Sequence, residues 1–123
     1  MTPQELVRRY VHSLESGDAL ALVGLLAPQP RFVSPFSVWS TPRAVSAAFT
    51  ARTRAFERVA IERVLSSGDD AAIRWRGQVG DRVVEGVDVL GLCGDGVSTV
   101  DVFLRPADVL ETVYTAMTSA WPR

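Results

Sequence analysis

Residues able to form a disulfide or a metal centre are almost absent from this chain of 123 residues. It contains one cysteine, Cys93, and one histidine, His12. A single cysteine forms no disulfide within the chain, which is typical of a protein in a reducing compartment. One cysteine and one histidine are also too few ligands for a zinc or iron centre. We therefore expect a cytoplasmic protein without a metal or other cofactor.

Lysine and asparagine are missing altogether, and only two isoleucines are present. All three residue types have AT-rich codons, so the sequence indicates a GC-rich bacterial genome. The 13 arginines are scattered and the net charge is −1, which argues against nucleic-acid binding. No apolar run approaches the length of a membrane span, and the N-terminus lacks the layout of a signal peptide.

With 47% hydrophobic residues, the chain predicts one globular domain over residues 1–123. Capping residues and apolar periodicity predict the element order α-α-β-α-β-β-β-α. The predicted helices begin after Thr2, Asp18 and Thr41 and at about Ala107, and they end at Ser16, before Pro28, at about Arg54 and at Ala120. The predicted strands are Arg31 to Phe36, Glu57 to Leu65, Ala71 to Val79, Arg82 to Cys93 and Val97 to Leu104.

A hairpin in the middle of the chain has a predictable register. Gly80-Asp81 fits a two-residue turn with glycine first, so Val79 faces Arg82. Counting back along both strands places Arg76 opposite Glu85, Trp75 opposite Gly86, and Ile73 opposite Asp88. A large ring beside a glycine and an opposed pair of charges both favour this register.

Asp88 is a carboxylate on an otherwise apolar strand face, which it shares with Val84, Gly86 and Leu90. Burial of a bare charge is too costly, so this side chain must be paired, protonated or facing a cavity. A structural hydrogen bond, for instance to Tyr10 or a tryptophan, is the plainer interpretation, and a ligand contact is the functional one.

Helices followed by a run of antiparallel strands indicate an α+β fold, in which a curved antiparallel sheet wraps around the N-terminal helix as a cone. A cavity between helix and sheet is expected to hold a hydrophobic small molecule. The outer face of the sheet is partly apolar and suits a homodimer interface.

Four segments in this order resemble the nuclear transport factor 2-like (cystatin-like fold) superfamily, which includes ketosteroid isomerases, SnoaL-like polyketide cyclases and limonene epoxide hydrolases. The segments are Arg9 to Asp18, Phe32 to Phe36, Glu85 to Leu90, and Val100 to Pro106, and the resemblance covers nearly the whole chain. Their order and spacing are specific for the fold and much less so for the activity.

The resemblance implies roles for three residues. Tyr10 falls on the oxyanion-hole tyrosine of the isomerases, and Asp88 on the protonated aspartic acid that completes the hole. Ser34 occupies the position of their general-base aspartate. A serine hydroxyl does not take a proton from carbon without a partner base, which argues against the standard steroid isomerisation.

Asp101 is a second candidate carboxylate, and its orientation depends on the turn before it. A two-residue Asp95-Gly96 turn would place Asp101 on the face of Asp88, which suits the paired carboxylates of a limonene epoxide hydrolase. That family also needs an arginine where this chain has Gly86. The register typical of the family instead puts Asp101 outside, as a solvated strand residue.

The leading hypothesis is a cofactor-independent enzyme, a cyclase or isomerase for an apolar carbonyl-bearing substrate, whose enolate Asp88 and Tyr10 stabilise. The alternatives are epoxide opening with Asp88 and Asp101, and a non-catalytic ligand-binding or dimerisation module. Tyr10 is otherwise a core residue with its hydroxyl at the edge. The residues predicted to line the substrate cavity are Phe32, Ser34, Phe36, Trp39, Ile73, Trp75, Leu90, Val102 and Leu104.

Overall fold

A computed structural model describes all 123 residues. The helices are α1 (Pro3–Ser16), α2 (Ala19–Gly24), α3 (Pro42–Ala55) and α4 (Leu110–Ala120), with a single 3-10 turn at Ala107–Val109 before the last. The strands are β1 (Leu26–Val33), β2 (Val38–Trp39), β3 (Glu57–Ser67), β4 (Asp70–Val79), β5 (Arg82–Cys93) and β6 (Gly96–Arg105). The predicted order of the main elements is confirmed, with the two-residue strand β2 in addition.

The first three helices begin at the predicted caps. The Thr2 hydroxyl accepts from the Glu5 amide at 3.2 Å, and Thr41 accepts from the Ala44 amide at the same distance. Asp18 caps α2 by accepting from the Ala21 amide at 3.0 Å. Each cap satisfies a backbone donor that the first helical turn leaves unpaired.

The strands form one curved six-stranded sheet in the order β2-β1-β6-β5-β4-β3. All neighbouring strands are antiparallel except β1 and β6, which are parallel. The α+β cone is confirmed, and the expected antiparallel sheet is a mixed one because of this single parallel pair. The parallel pair arises because α3 carries the chain from β1 to the opposite edge, and the β3–β6 meander then returns to β1.

The predicted β4–β5 register is confirmed at each pair, including Trp75 with Gly86 and Ile73 with Asp88. The β5–β6 turn differs from the two-residue Asp95-Gly96 turn. Cys93 pairs with Gly96, and the register then shifts by one residue between Gly91 and Leu92. This bulge places Asp88 opposite Val102.

The second helix and the first strand have different bounds from those predicted. The helix ends at Gly24, and β1 starts at Leu26 and runs through both prolines of the segment to Val33. The Val97 amide donates to the Leu25 carbonyl at 2.8 Å, so pairing with β6 determines where the strand begins. A long-range contact of this kind overrides local propensity.

The helices fill the concave side of the sheet. Leu6, Val7, Tyr10 and Leu14 bury one face of α1, and Val45, Ala48 and Phe49 do so for α3. The last helix packs on α3 and buries Val113 and Met117, and the Arg54 side chain donates to the carbonyl of Ala120 at 3.2 Å. The interior of the cone is therefore packed with side chains. No helix is both long and apolar enough to cross a membrane.

Candidate functional site

Asp88 lies at the centre of a closed polar cluster inside the cone. Its Oδ2 accepts from the Tyr10 hydroxyl at 2.7 Å, and its Oδ1 accepts from Trp75 Nε1 at 2.9 Å and from Arg52 Nη2 at 3.0 Å. Asp88, Tyr10 and Trp75 are each 0% exposed, and Arg52 is 5% exposed. We call these four residues the Asp88 cluster.

Arg52 is the member of the cluster that the sequence interpretation missed. It lies on α3 four residues after Ala48 and three after Phe49, on the buried stripe of that helix. A charged residue at this spacing is the same signal that identified Asp88, and it was available in the sequence. The guanidinium also lies over the Trp75 ring, 5.0 Å from the centroid, a cation–π arrangement.

The contacts of the cluster suit an ionised carboxylate. Guanidinium and indole nitrogens only donate, so Asp88 Oδ1, which is bonded to both, acts as an acceptor, and Oδ2 accepts from the Tyr10 hydroxyl. Arg52 Nη1 lies 2.7 Å from Asp88 Oδ2, although its orientation leaves it without a hydrogen bond. Burial is the largest single influence and works to lower the pKa of Arg52, but the Asp88 charge, together with Tyr10 and the hydrogen bonds of both groups, raises that pKa overall.

Tyr10 is held in its neutral form. Burial, reinforced by the Asp88 charge, raises the pKa of the Tyr10 hydroxyl well above its usual value. Its proton points at Asp88, at 2.7 Å. A donor that is already bound to a carboxylate is not free for a substrate oxygen.

Packing closes the space around the cluster. The Trp75 ring lies directly over Gly86, where even a Cβ atom would overlap it. The Phe56 ring packs edge-on against Trp75, with centroids 5.0 Å apart. None of the four residues of the Asp88 cluster lines any of the principal pockets of the structure.

The predicted cavity residues fall into three groups. Phe32, Ile73 and Leu90 are at most 1% exposed and lie in the core with Trp75, and Val102 and Leu104 pack beside them. Ser34 is in the turn after β1, where its hydroxyl accepts from the amides of Phe36 and Ser37. Phe36 and Trp39 line a surface groove.

Asp101 lies on the opposite face of the sheet from Asp88. It pairs with Val89 across β5 and β6, while Asp88 pairs with Val102. The catalytic assignment of Asp101 beside Asp88 is therefore corrected. The physical reason is the bulge at Gly91, which shifts β6 by one residue and so changes the face of each side chain.

A groove of about 350 Å³ lies between the β1–β2 turn and α4. We call it the aromatic groove; its lining residues are Phe36, Ser37, Trp39, Tyr114, Met117, Thr118 and Trp121. The rings of Trp39 and Trp121 lie 5.4 Å apart and those of Phe36 and Tyr114 5.6 Å apart. The lining contains three hydroxyl side chains, Ser37, Thr118 and Tyr114, and no charged one.

Two of the seven residues that line the groove were among those expected to line the cavity between helix and sheet. Phe36 and Trp39 were predicted to bind a ligand, whereas Tyr114 and Trp121 were not. Their signal is an aromatic pair in the C-terminal helical segment, but only the packing of α4 on α3 brings them to the groove. Among the described residues, no three His, Cys, Asp or Glu side chains come together as a metal site.

The model of the SnoaL-like domain family matches residues 7–102. This is most of the chain, so the protein belongs to the SnoaL-like family of the nuclear transport factor 2-like superfamily. The match ends within β6 and leaves α4, one wall of the aromatic groove, outside it. Among curated proteins, none is similar enough in sequence to match.

Two solved structures illustrate the similarity of fold. An uncharacterized bacterial protein with a cystatin-like fold from Silicibacter pomeroyi DSS-3 is 25% identical, with a TM-score of 0.86 over 93% of this chain and 83% of that one. A steroid delta-isomerase from Pseudomonas aeruginosa is 23% identical, with a TM-score of 0.87 over 95% and 89% of the two chains. At this identity the likeness shows the α+β cone fold.

Proposed function

We propose that this SnoaL-like domain binds a neutral, flat, apolar small molecule in the aromatic groove and does not transform it at Asp88. The observation that carries the proposal is the closed Asp88 cluster. Arg52, Tyr10 and Trp75 occupy both oxygens of the carboxylate, and the side chain of Asp88 is 0% exposed. The Asp88 carboxylate, which the resemblance places at the family's catalytic position, is therefore bonded only to side chains of the core.

Three features count against the enzymatic alternatives. An oxyanion hole needs donors aimed at a vacant position, and Tyr10 donates to Asp88 instead. Ser34 stands in the general-base position and bonds to its own turn. Epoxide opening requires a second carboxylate beside Asp88, and Asp101 is on the other face.

The aromatic groove has the chemistry of a site for a flat apolar ligand. Ring faces of Trp39 and Trp121, together with Phe36 and Tyr114, offer stacking surfaces. Small-molecule sites are mostly apolar with a few polar groups that fix orientation. The hydroxyls of Ser37 and Thr118 provide such groups, and the absence of a charge in the lining favours a neutral ligand.

The experiment is a calorimetric titration with 2-naphthol, which is a planar neutral phenol. Tyr114 is 54% exposed, so Tyr114→Ala removes a groove wall without opening the core. We expect this variant to weaken binding about tenfold, the effect of losing one aromatic contact. Leu20→Ala, at a residue 85% exposed on α2, is the matched control and should bind like the wild type.

Tyr10→Phe distinguishes the groove from the Asp88 cluster. The groove proposal predicts unchanged 2-naphthol binding in this variant, because Tyr10 does not line the groove. No binding by the wild type, or binding indifferent to Tyr114→Ala, would overturn the proposal.

The second candidate remains the cofactor-independent cyclase or isomerase, and one observation favours it. Tyr10 and Asp88, the two residues to which this hypothesis assigns enolate stabilisation, are neighbours joined by a hydrogen bond. Loss of 2-naphthol binding in Tyr10→Phe, with the fold intact, would support this candidate, because phenols resemble the enolate that such a site holds.

A further inference from the structure

A surface pocket of about 600 Å³ lies between α1 and the end of α2, and it shares no lining residue with the aromatic groove. Its lining residues are Arg8, Arg9, His12 and Ser13 on α1 and Ala21, Gly24 and Leu25 on α2 and its C-cap. Two arginines and the one histidine of the chain line this pocket, and no acidic side chain does. We call it the basic pocket.

The helical spacing of α1 brings the three basic side chains together. One side of this helix is buried in the core, and Arg8, Arg9 and His12 lie on its exposed side. His12 follows Arg8 by four residues and Arg9 by three, which is about one helical turn in each case. The three side chains therefore form a triangle on the helix surface that faces the pocket.

The charges of this triangle have no partner within the chain. None of its three side chains takes part in an ion pair. The nearest acidic residues of the helix are Glu5, three residues before Arg8, and Glu15, three residues after His12, and neither lines the pocket. The planar fork of N–H donors on an arginine matches the two oxygens of a carboxylate or phosphate.

The remaining lining residues are small or apolar. Leu25 is buried and Ala21 is half-buried, while Gly24 has open space where a Cβ atom would stand. The Ser13 hydroxyl donates to the carbonyl of Arg9 at 2.8 Å, so it is already used within the helix. Exposed guanidinium groups beside an apolar surface suit an anion that also carries an apolar body.

We propose that the basic pocket is a second binding site, for a small organic anion. Its carboxylate or phosphate head pairs with Arg8 and Arg9, and its apolar body lies on Ala21 and Leu25. The His12 imidazole supplies one further N–H donor to the head. A volume of about 600 Å³ is within the range of small-molecule sites. Nucleic acids and anionic membranes are bound by larger basic clusters than these three side chains.

The single histidine makes a specific test possible, because one imidazole gives one set of signals in a ¹H–¹⁵N correlation spectrum. On titration with sodium octanoate in about 0.15 M salt, where weak surface attraction is screened, the His12 signals should shift. Octyl phosphate carries the other head on the same apolar chain, and a His12 shift with either compound supports the proposal. 1-Octanol lacks the charge and should leave the His12 signals in place.

Charge-removing variants identify the residues that hold the head. Arg8→Gln and Arg9→Gln change exposed residues, so the fold should be retained, and each should raise the dissociation constant for octanoate about tenfold. Arg63→Gln makes the same change at an exposed arginine of β3 and is the matched control, which should bind like the wild type.

Four results would overturn the proposal. The first is a set of His12 signals that neither anion moves, and the second is an equal shift with 1-octanol. The third is unchanged binding in both Arg8→Gln and Arg9→Gln, and the fourth is an equal loss in Arg63→Gln, which would indicate attraction by overall charge. The indole signals of Trp39 and Trp121 provide an independent check, since octanoate that shifts them and not His12 would lie in the aromatic groove instead.

Discussion

The Arg52 guanidinium on α3 and the Asp88 carboxylate on β5 form the ion pair at the centre of this fold, with 2.7 Å between Nη1 and Oδ2. Both side chains are almost completely buried. Two buried charges gain stability only when each compensates the other and further hydrogen bonds complete the site. Tyr10 and Trp75 supply those bonds, so the four residues act as one unit.

The main effect of Asp88→Ala should therefore be on the stability of the fold and not on a catalytic activity. The change leaves the Arg52 charge uncompensated in the core, which we expect to lower the free energy of unfolding by about 3–5 kcal/mol. Urea unfolding at neutral pH measures this. Asp101→Ala, at a carboxylate on the other sheet face, is the control and should change the free energy of unfolding by less than about 1 kcal/mol. Equal effects would contradict the structural role of the cluster.

Gly86→Ala should also destabilise the domain. The added methyl group overlaps the Trp75 ring, and forcing the ring aside disturbs its bond to Asp88; overpacking of this kind costs about 1–3 kcal/mol. Gly24→Ala adds the same methyl where no atom lies within 4 Å, so it should be neutral or slightly stabilising. Thermal unfolding of both variants gives the comparison, and a neutral Gly86→Ala would refute the close packing.

Stability should fall at high pH because of Tyr10. The pKa of its hydroxyl is raised in the folded state above the usual 10.0, so the unfolded chain releases this proton first. The stabilisation is fully present below about pH 10 and is lost as the pH rises towards the folded-state value. Tyr10→Phe should flatten this alkaline decline between pH 9 and 11.

Tyr114→Phe, which removes the hydroxyl of the other tyrosine at a residue that is 54% exposed, is the matched control for that experiment. Urea unfolding at several alkaline pH values provides the data. If the free energy of unfolding declines identically in the wild type and in Tyr10→Phe, then the Tyr10 hydroxyl does not titrate differently in the folded and unfolded states.

Local rules were sufficient to predict much of the fold. The Gly80-Asp81 turn fixes the β4–β5 register, and the caps at Thr2, Asp18 and Thr41 fix the starts of three helices. The β5–β6 register was not predictable, because the bulge at Gly91 depends on how β6 meets β1. The one-residue register shift between β5 and β6 determines that Asp101 lies on the sheet face opposite to that of Asp88.

The site was predictable only in part. Asp88 was identified because a lone carboxylate on an apolar face needs a partner, and Tyr10 and a tryptophan were named among its candidate partners. Arg52 obeys the same rule on a helix and was overlooked. The aromatic groove could not be inferred, since Trp39 and Trp121 are brought together only by the tertiary packing of the last helix.

The three tryptophans allow one measurement to distinguish the two sites. Trp39 and Trp121 line the aromatic groove, and Trp75 Nε1 donates to Asp88. Each indole N–H gives its own signal in a ¹H–¹⁵N correlation spectrum, assigned by Trp→Phe variants. On titration with 2-naphthol, binding in the aromatic groove should shift the Trp39 and Trp121 signals and leave the Trp75 signal in place. A shift of the Trp75 signal alone would contradict it and place the ligand at Asp88.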